Sequence, residues 1–246
     1  IWVMRQAGRY LPEYLAVREQ AGSFLDLCLN PELAAEVSIQ PLDLMEVDAV
    51  IMFSDILTPL MGMGIELDFT PGPIIHNHVR TSDDIDKLRL PDPSESTGYV
   101  GKILHLIRKE IEGRAPVIGF AGAPFTLACY LLDNENQKAF SKLSTLFFDD
   151  PETAHKLMRK LTRMTINYLN YQIESGAQMV QLFDTWAGLF NPPDFKTHIF
   201  PYISEIFSKL DKRGEVPVVY YINGSNHLLE LMAETGADVI GLDWKT

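Results

Sequence analysis

Two arginines four residues apart, Arg5 and Arg9, follow directly on the apolar run Ile1-Trp2-Val3-Met4 and enclose Gln6-Ala7-Gly8. The run is long enough for a buried strand and stops at Arg5. A turn through Gly8, with Gln6 adding donors, brings both guanidiniums and nearby backbone N–H groups around one anion, which is carboxylate or phosphate chemistry. Alone, an Arg-x-x-x-Arg is more often a solvated loop whose cations pair with surface acids. Other apolar runs end in the same way. Ala49-Val50-Ile51-Met52-Phe53 stops at Ser54-Asp55, Pro116 to Phe120 gives way to Ala121-Gly122-Ala123-Pro124, and Gln178 to Phe183 ends on Asp184-Thr185.

Taken singly, these residues have ordinary readings. An aspartate between strand and helix, such as Asp55, is more often a helix cap than a catalyst. Tyr130 on an apolar helix reads as a core tyrosine, and Thr185, Asp184 and Asp243 as local caps of turns, with no catalytic role for either of those aspartates. His76-Asn77-His78 has the spacing of two strand ligands but lacks a third, so an exposed hairpin explains it and no metal is expected.

The elements that must position these tips follow the chain in order. Pro12 to Gln20 reads as a short helix. Asn30-Pro31-Glu32 supplies a cap, a first-turn proline and an acid for a helix that runs toward Glu46 with a kink expected at Pro41. Residues 56–95 read as a Gly- and Pro-rich insertion, with a hairpin over 64–79 turning at Pro71-Gly72. A helix is expected from about Glu95 to Glu112, another containing Tyr130, and helices through 137–175. In that last stretch Ala154, Leu157, Met158, Leu161, Met164, Thr165 and Tyr168 share one face. Residues 193–213 read as helical, strand 217–222 follows, and a short helix from His227 to Glu234 leads to strand 238–242. Glu174-Ser175-Gly176-Ala177 and Glu234-Thr235-Gly236-Ala237 each close a helix with a glycine and enter a strand, a weak internal repeat.

Six apolar strands separated by helices require parallel pairing by right-handed crossovers, so the class is α/β. No Gly-x-Gly-x-x-Gly or Walker-type loop follows a strand, which removes the main reason for a dinucleotide-binding open sheet. A TIM-type (β/α)8 barrel, whose working residues sit at the C-terminal ends of many strands, fits the polar tips. With about six of eight strands present, residues 1–246 are expected to be one barrel domain that is incomplete at its C-terminal end.

Composition narrows the partners. The chain is 46% hydrophobic and 22% charged, the range of globular proteins with a large core. Its formal charge of -12 argues against nucleic acid and makes any anion site a local exception. No apolar run is long enough for a bilayer and no leader is recognisable, so a cytoplasmic location is expected. Cys28 and Cys129 stand far apart in apolar helical contexts and read as reduced core residues.

Together the strand tips resemble the uroporphyrinogen decarboxylase family along essentially the whole chain. Arg5 to Tyr14 is similar to the family's N-terminal signature. Gly119 to Leu127 with Tyr130 is similar to its second, and Phe53-Ser54-Asp55-Ile56-Leu57 and Phe183 to Gly188 to two further blocks. The resemblance implies a TIM-like barrel, usually a homodimer, that decarboxylates the four acetate side chains of uroporphyrinogen to give coproporphyrinogen without metal or organic cofactor. By family position, Arg5 and Arg9, with Gln6, Ala7 and Gly8 in their loop, would bind substrate carboxylates. Asp55 would hold the pyrrole N–H groups, and Tyr130 and Thr185 would hydrogen-bond a side-chain carboxylate. Asp55 and Arg5 carry the implied catalytic roles, and an arginine, a water or a substrate carboxyl group would deliver the protons.

Two departures accompany the resemblance. Asp133-Asn134-Glu135-Asn136 stands where the family usually has a glycine-containing loop, and a late family histidine would fall beyond Thr246. Two rival functions bracket the main one. Zinc-dependent corrinoid methyltransferases share the barrel and place a His-x-Cys pair after a late strand, but Tyr221-Ile222-Asn223-Gly224 here lacks both ligands. A non-catalytic tetrapyrrole-binding paralogue or fragment is the other.

Overall fold

The computed structural model of the chain describes residues 10–69, 72–133 and 136–244, and side chains outside 136–140. The expected first strand, with the loop of Arg5, Gln6, Ala7, Gly8 and Arg9, lies outside the described residues, as does Pro71 of the hairpin.

Local signals account for most helix starts. Helix α1 (Pro12–Ala21) begins on a proline, α2 (Phe24–Leu29) is capped by Ser23, which accepts the Asp26 N–H, and α3 (Pro31–Met45) is capped by Asn30 through the Leu33 N–H. The last continues through Pro41 to a left-handed Glu46. Tyr14, Val17, Leu27 and Val37 from these helices form a satellite core, against which Phe53 packs.

Strand β1 (Val50–Ile51) leads to α4 (Thr58–Gly62), a turn of helix inside the stretch read as an insertion. There β2 (Leu67–Asp68) pairs antiparallel with β3 (Ile74–Ile75), the expected hairpin. Next come α5 (Ser82–Lys87), α6 (Pro93–Ser96) and α7 (Gly98–Ile111). The helix expected over 95–112 is thus two, because Thr97 closes α6 through the Pro93 carbonyl before Gly98 starts α7.

Strand β4 (Val117–Gly122) is buried throughout and feeds α8 (Pro124–Leu132). Helices α9 (Asn136–Asp149) and α10 (Pro151–Glu174) follow, and α10 buries the face its periodicity marked. Strand β5 (Met179–Phe183) leads to α11 (Pro192–His198) and α12 (Phe200–Ser208). The helical stretch expected over 193–213 is broken at Ile199, and α12 starts anew with Pro201 in its first turn, because a proline without an N–H is tolerated there but not inside a continuous helix. Strand β6 (Val218–Tyr221), a 3-10 turn over Asn226–Leu228, α13 (Leu229–Glu234) and β7 (Val239–Gly241) complete the order. Gly176 and Gly236 have φ of 108° and 93°, so both halves of the weak repeat close their helices in the left-handed region.

The main sheet is wholly parallel in the order β1-β4-β5-β6-β7, each strand beside the next one in the chain, the hairpin being set apart. Sequential parallel neighbours joined by helical crossovers are the arc of a (β/α)8 barrel. Five of the six expected strands belong to the described residues. Among these residues no helix is long and apolar enough to cross a membrane, and Cys28 and Cys129 are buried free thiols.

Candidate active site at the strand tips

Parallel pairing puts every strand's C-terminal end on one edge of the sheet. Gly122, Phe183, Tyr221 and Gly241 stand in one row of partners, while β1 ends earlier, Ile51 pairing with Ile118, and the residues after it run on toward the Gly122 row. The ladder extends one step beyond the row, where the Ala123 N–H donates to the Phe183 carbonyl and the Asp184 N–H to that of Tyr221, each at 2.8 Å. Asp55, Tyr130 and Thr185, far apart in sequence, therefore follow three strands at the same edge.

Asp55 sits in a tight polar turn. Its Oδ1 accepts the Leu57 N–H at 2.9 Å, while its carbonyl accepts the Thr58 hydroxyl at 3.0 Å. The Ser54 and Thr58 hydroxyls are 3.3 Å apart. The ordinary reading of Asp55 as a local cap is thus partly right, since one carboxylate oxygen does hold a backbone N–H. Behind the turn stand Tyr99 of α7, Tyr168 of α10 and Cys28 of α2. Burial pushes the Tyr99 phenol up to about 12, with the Asp55 charge adding to the rise and the Thr58 hydroxyl opposing it. The Tyr168 phenol and the Cys28 thiol are also raised by burial first and by Asp55 in addition. These neighbours remain neutral, so the turn has an uncharged backing.

The turn is held against the next strand by a missing side chain. A Cβ on Gly122 would lie 2.7 Å from Leu127 Cδ2 and 3.2 Å from Ile56 Cβ, so the glycine lets the Asp55 turn and α8 approach the β4 tip together. Phe53, just ahead, rests on Phe24 with ring centroids 5.7 Å apart and on Tyr14 at 6.0 Å. Through these rings the N-terminal helices are anchored beside the β1 tip.

Tyr130 lies half-buried toward the end of α8, and Thr185 is exposed in the turn after β5. Between them lies a residue that local sequence reading passes over. Asp184 is fully buried, its Oδ1 accepting the Thr126 hydroxyl at 2.8 Å and its Oδ2 the Tyr220 hydroxyl at 3.0 Å. Thr126 in turn accepts the Trp186 N–H at 3.4 Å. Burial raises the Asp184 carboxyl to about 6, against the Thr126 and Tyr220 hydroxyls and the Thr126 backbone N–H, which lower it. Its bonds are not those of a cap on its own turn: they reach α8 and β6. One signal was in the sequence. Ala123, at the N-cap of α8, carries no side-chain acceptor, so the first-turn N–H groups require one from elsewhere.

Asp243 also departs from the local cap expected of it: it accepts the N–H of Gly224, 19 residues away in the loop after β6, at 2.8 Å. His78 Nδ1 lies 3.1 Å from the Leu131 carbonyl, and among the described residues no group of three His, Cys, Asp or Glu is placed to hold a metal. An open groove of about 470 Å³ lies between α1 and α3, lined by Glu13, Glu36 and Asp43 among others. Its carboxylates suit no anion, and it lies away from the strand tips.

The sequence model of the uroporphyrinogen decarboxylase (URO-D) family matches residues 1–246. Curated uroporphyrinogen decarboxylases of Trichlorobacter lovleyi and Geobacter sulfurreducens are 49% and 48% identical over 244 residues, covering 99% of this chain and 71% of each relative. Among solved structures, a methyltransferase from Methanosarcina mazei superposes with a TM-score of 0.77 over 92% of this chain and 67% of its own. At 20% identity that likeness speaks for the shared barrel fold alone.

Proposed function

The chain belongs to the uroporphyrinogen decarboxylase family, and from that membership we propose that it removes CO2 from the four acetate side chains of uroporphyrinogen, giving coproporphyrinogen. The observation that carries the reading from fold to site is the common edge. Tyr130 and Thr185 follow β4 and β5, whose C-terminal ends the parallel ladder aligns, and the Asp55 turn after β1 reaches the same β4 tip, where a Cβ on Gly122 would lie 3.2 Å from Ile56 Cβ.

The chemistry suits those residue types. Each pyrrole is electron-rich. Protonation of its α-carbon makes a cationic ring that can accept an electron pair. The bond between the acetate methylene and its carboxylate then breaks, CO2 leaves, and the pair moves through the exocyclic carbon into the ring. A proton added at that carbon gives the methyl group, and the ring α-carbon releases the first proton. The ring is its own electron sink, so no cofactor is invoked. In this reading Asp55 faces the pyrrole N–H donors and stabilises the developing cation, and its bond from Leu57 holds it ready before reaction.

Tyr130 and Thr185 would donate to a substrate carboxylate, and Arg5 and Arg9, outside the described residues, would take others as planar bidentate forks. A chain of net charge -12 needs such a local reversal of field to admit a polycarboxylate. We further propose a cytoplasmic homodimer, for which sedimentation of the intact protein is the check.

Anaerobic incubation of the intact protein with uroporphyrinogen tests the reading directly. Products with seven, six, five and four carboxyl groups are expected in turn after oxidation to porphyrins. A folded protein that leaves the eight-carboxyl substrate unchanged refutes it. No observation here favours the methyltransferase alternative, and stoichiometric zinc in the purified protein would be its signature.

A further inference from the structure

Helix α8 begins without a side-chain cap of its own: Ala123 holds the N-cap position, and Pro124 opens the helix. The acceptor comes from β5. Asp184, buried at its tip, takes the Thr126 hydroxyl on one oxygen and the Tyr220 hydroxyl on the other. The Thr126 backbone N–H also acts on the carboxylate. Thr126 and Tyr130 are four residues apart on one helix and so share a face. Thr185 is the residue after Asp184. One carboxylate therefore joins the helix that bears Tyr130, the loop that bears Thr185 and strand β6.

We propose that Asp184 is a positioning residue for the decarboxylation, an outside cap that fixes α8 in rotation against the loop after β5 so that the hydroxyls of Tyr130 and Thr185 meet the same substrate carboxylate. This rests on the functional reading above, which gives those hydroxyls their ligand. The side chain itself touches no substrate, being closed off by Thr126 and Tyr220. The clamp works best when Asp184 is ionised, because each of its donors then has a full acceptor. On protonation one oxygen becomes a donor, so the hydroxyl opposite it must turn to accept and gives up the bond it was donating.

With the carboxyl raised to about 6, that exchange falls in a measurable range. The other ionisable groups facing it are Tyr220 from β6 and Cys129 from α8. Both are held neutral by burial, with the Asp184 charge adding to the rise of each. Among the described residues, Asp184 is thus the group of this cluster that titrates near neutrality.

The test uses the intact protein with Asp184→Asn, Thr126→Val and Thr126→Ser. KM and kcat for uroporphyrinogen are read from pH 5 to 8, with uroporphyrin binding by fluorescence as a measure independent of turnover. Asp184→Asn and Thr126→Val are expected to raise KM at pH 7.5 about tenfold with kcat within about threefold, a loss of positioning rather than of chemistry. Thr126→Ser, which keeps the hydroxyl, restores KM to within about twofold. Wild-type kcat/KM should fall below about pH 6, whereas the Asn variant lacks that limb and the two profiles meet near pH 5.

A wild-type KM and an unaltered acid limb in Asp184→Asn overturn the inference. If that variant does not fold, Thr126→Val with a wild-type KM overturns it equally. A wild-type protein that neither binds uroporphyrin nor turns over uroporphyrinogen refutes the functional reading, and this inference with it. Active wild type beside indifferent variants refutes the inference alone.

Discussion

Gln172 of α10 closes both main-chain hydrogen bonds of Phe120 in β4, its Oε1 accepting the Phe120 N–H at 2.8 Å and its Nε2 donating to the Phe120 carbonyl at 2.9 Å. Gln172 is fully buried, and a Cβ on Gly119 would lie 2.4 Å from its Oε1, so the glycine makes room for the carboxamide. The pair pins the longest helix to the strand whose tip leads into α8. Gln172→Leu leaves a buried donor and a buried acceptor without partners and is expected to destabilise the fold by about 2–4 kcal/mol. Urea unfolding followed by circular dichroism measures it, and a loss under about 0.5 kcal/mol would contradict the assignment.

Gly188 has a more local job. A Cβ there would lie 2.1 Å from the Asn223 carbonyl oxygen, a contact with rigid backbone, so the loop after β5 can lie on the loop after β6 only with glycine in place. Gly188→Ala forces the two loops apart. The expected result is a KM for uroporphyrinogen raised at least about tenfold, since a displacement near 1 Å in a positioning element costs rates of that order or more. Unchanged kinetics with an unchanged melting temperature would show that the loops yield freely.

The buried Asp184 makes stability depend on pH in a definite direction. Its carboxyl is raised from 3.8 to about 6, so between those values the folded chain binds more protons than the unfolded one. Its contribution is fully present below pH 3.8 and is lost as pH rises through about 6, roughly 3 kcal/mol in all. Asp184→Asn carries no such dependence. Relative to wild type, the variant should gain about 2–3 kcal/mol between pH 4 and pH 7.5, whatever its offset at either end. Denaturation midpoints at the two pH values decide this, and parallel curves would show that Asp184 does not titrate there. A carboxylate that costs stability at neutral pH while tying α8 and β6 to the loop after β5 is a stability–function trade-off.

Asp55 separates charge from local structure. Asp55→Asn keeps an oxygen for the Leu57 N–H, whereas Asp55→Ala loses it and should cost about 1 kcal/mol more. Both are expected to lower turnover by at least about 10²-fold while the fold survives, because each removes the negative charge that would face the pyrrole nitrogens. A folded Asn variant with near-wild-type kcat would remove Asp55 from the chemistry.

Where the physics is local, the sequence was legible. The face of α10 could be read because helical periodicity needs no partner to be visible. The starts of α1 and α3 followed from Pro12, Asn30 and Pro31, and the hairpin from the turn residues near Gly72. The break between α11 and α12 was also local, resting on Pro201, yet the apolar pattern across it masked the interruption. The division at Thr97 has no local mark in the sequence, because a single non-glycine residue ends one helix and begins the next.

The sequence by itself determined the parallel α/β class, the polar strand tips and, through four ordered blocks, the family. These are properties of composition, period and motif, each complete within a few adjacent residues. Only the tertiary structure decided what Asp184 does, because its two hydroxyl partners lie 58 and 36 residues away and neither local pattern refers to the other. The same holds for Gln172, whose partner Phe120 is 52 residues distant. A buried polar atom must find its partner, but which one it finds is settled by the packing that removes water from both.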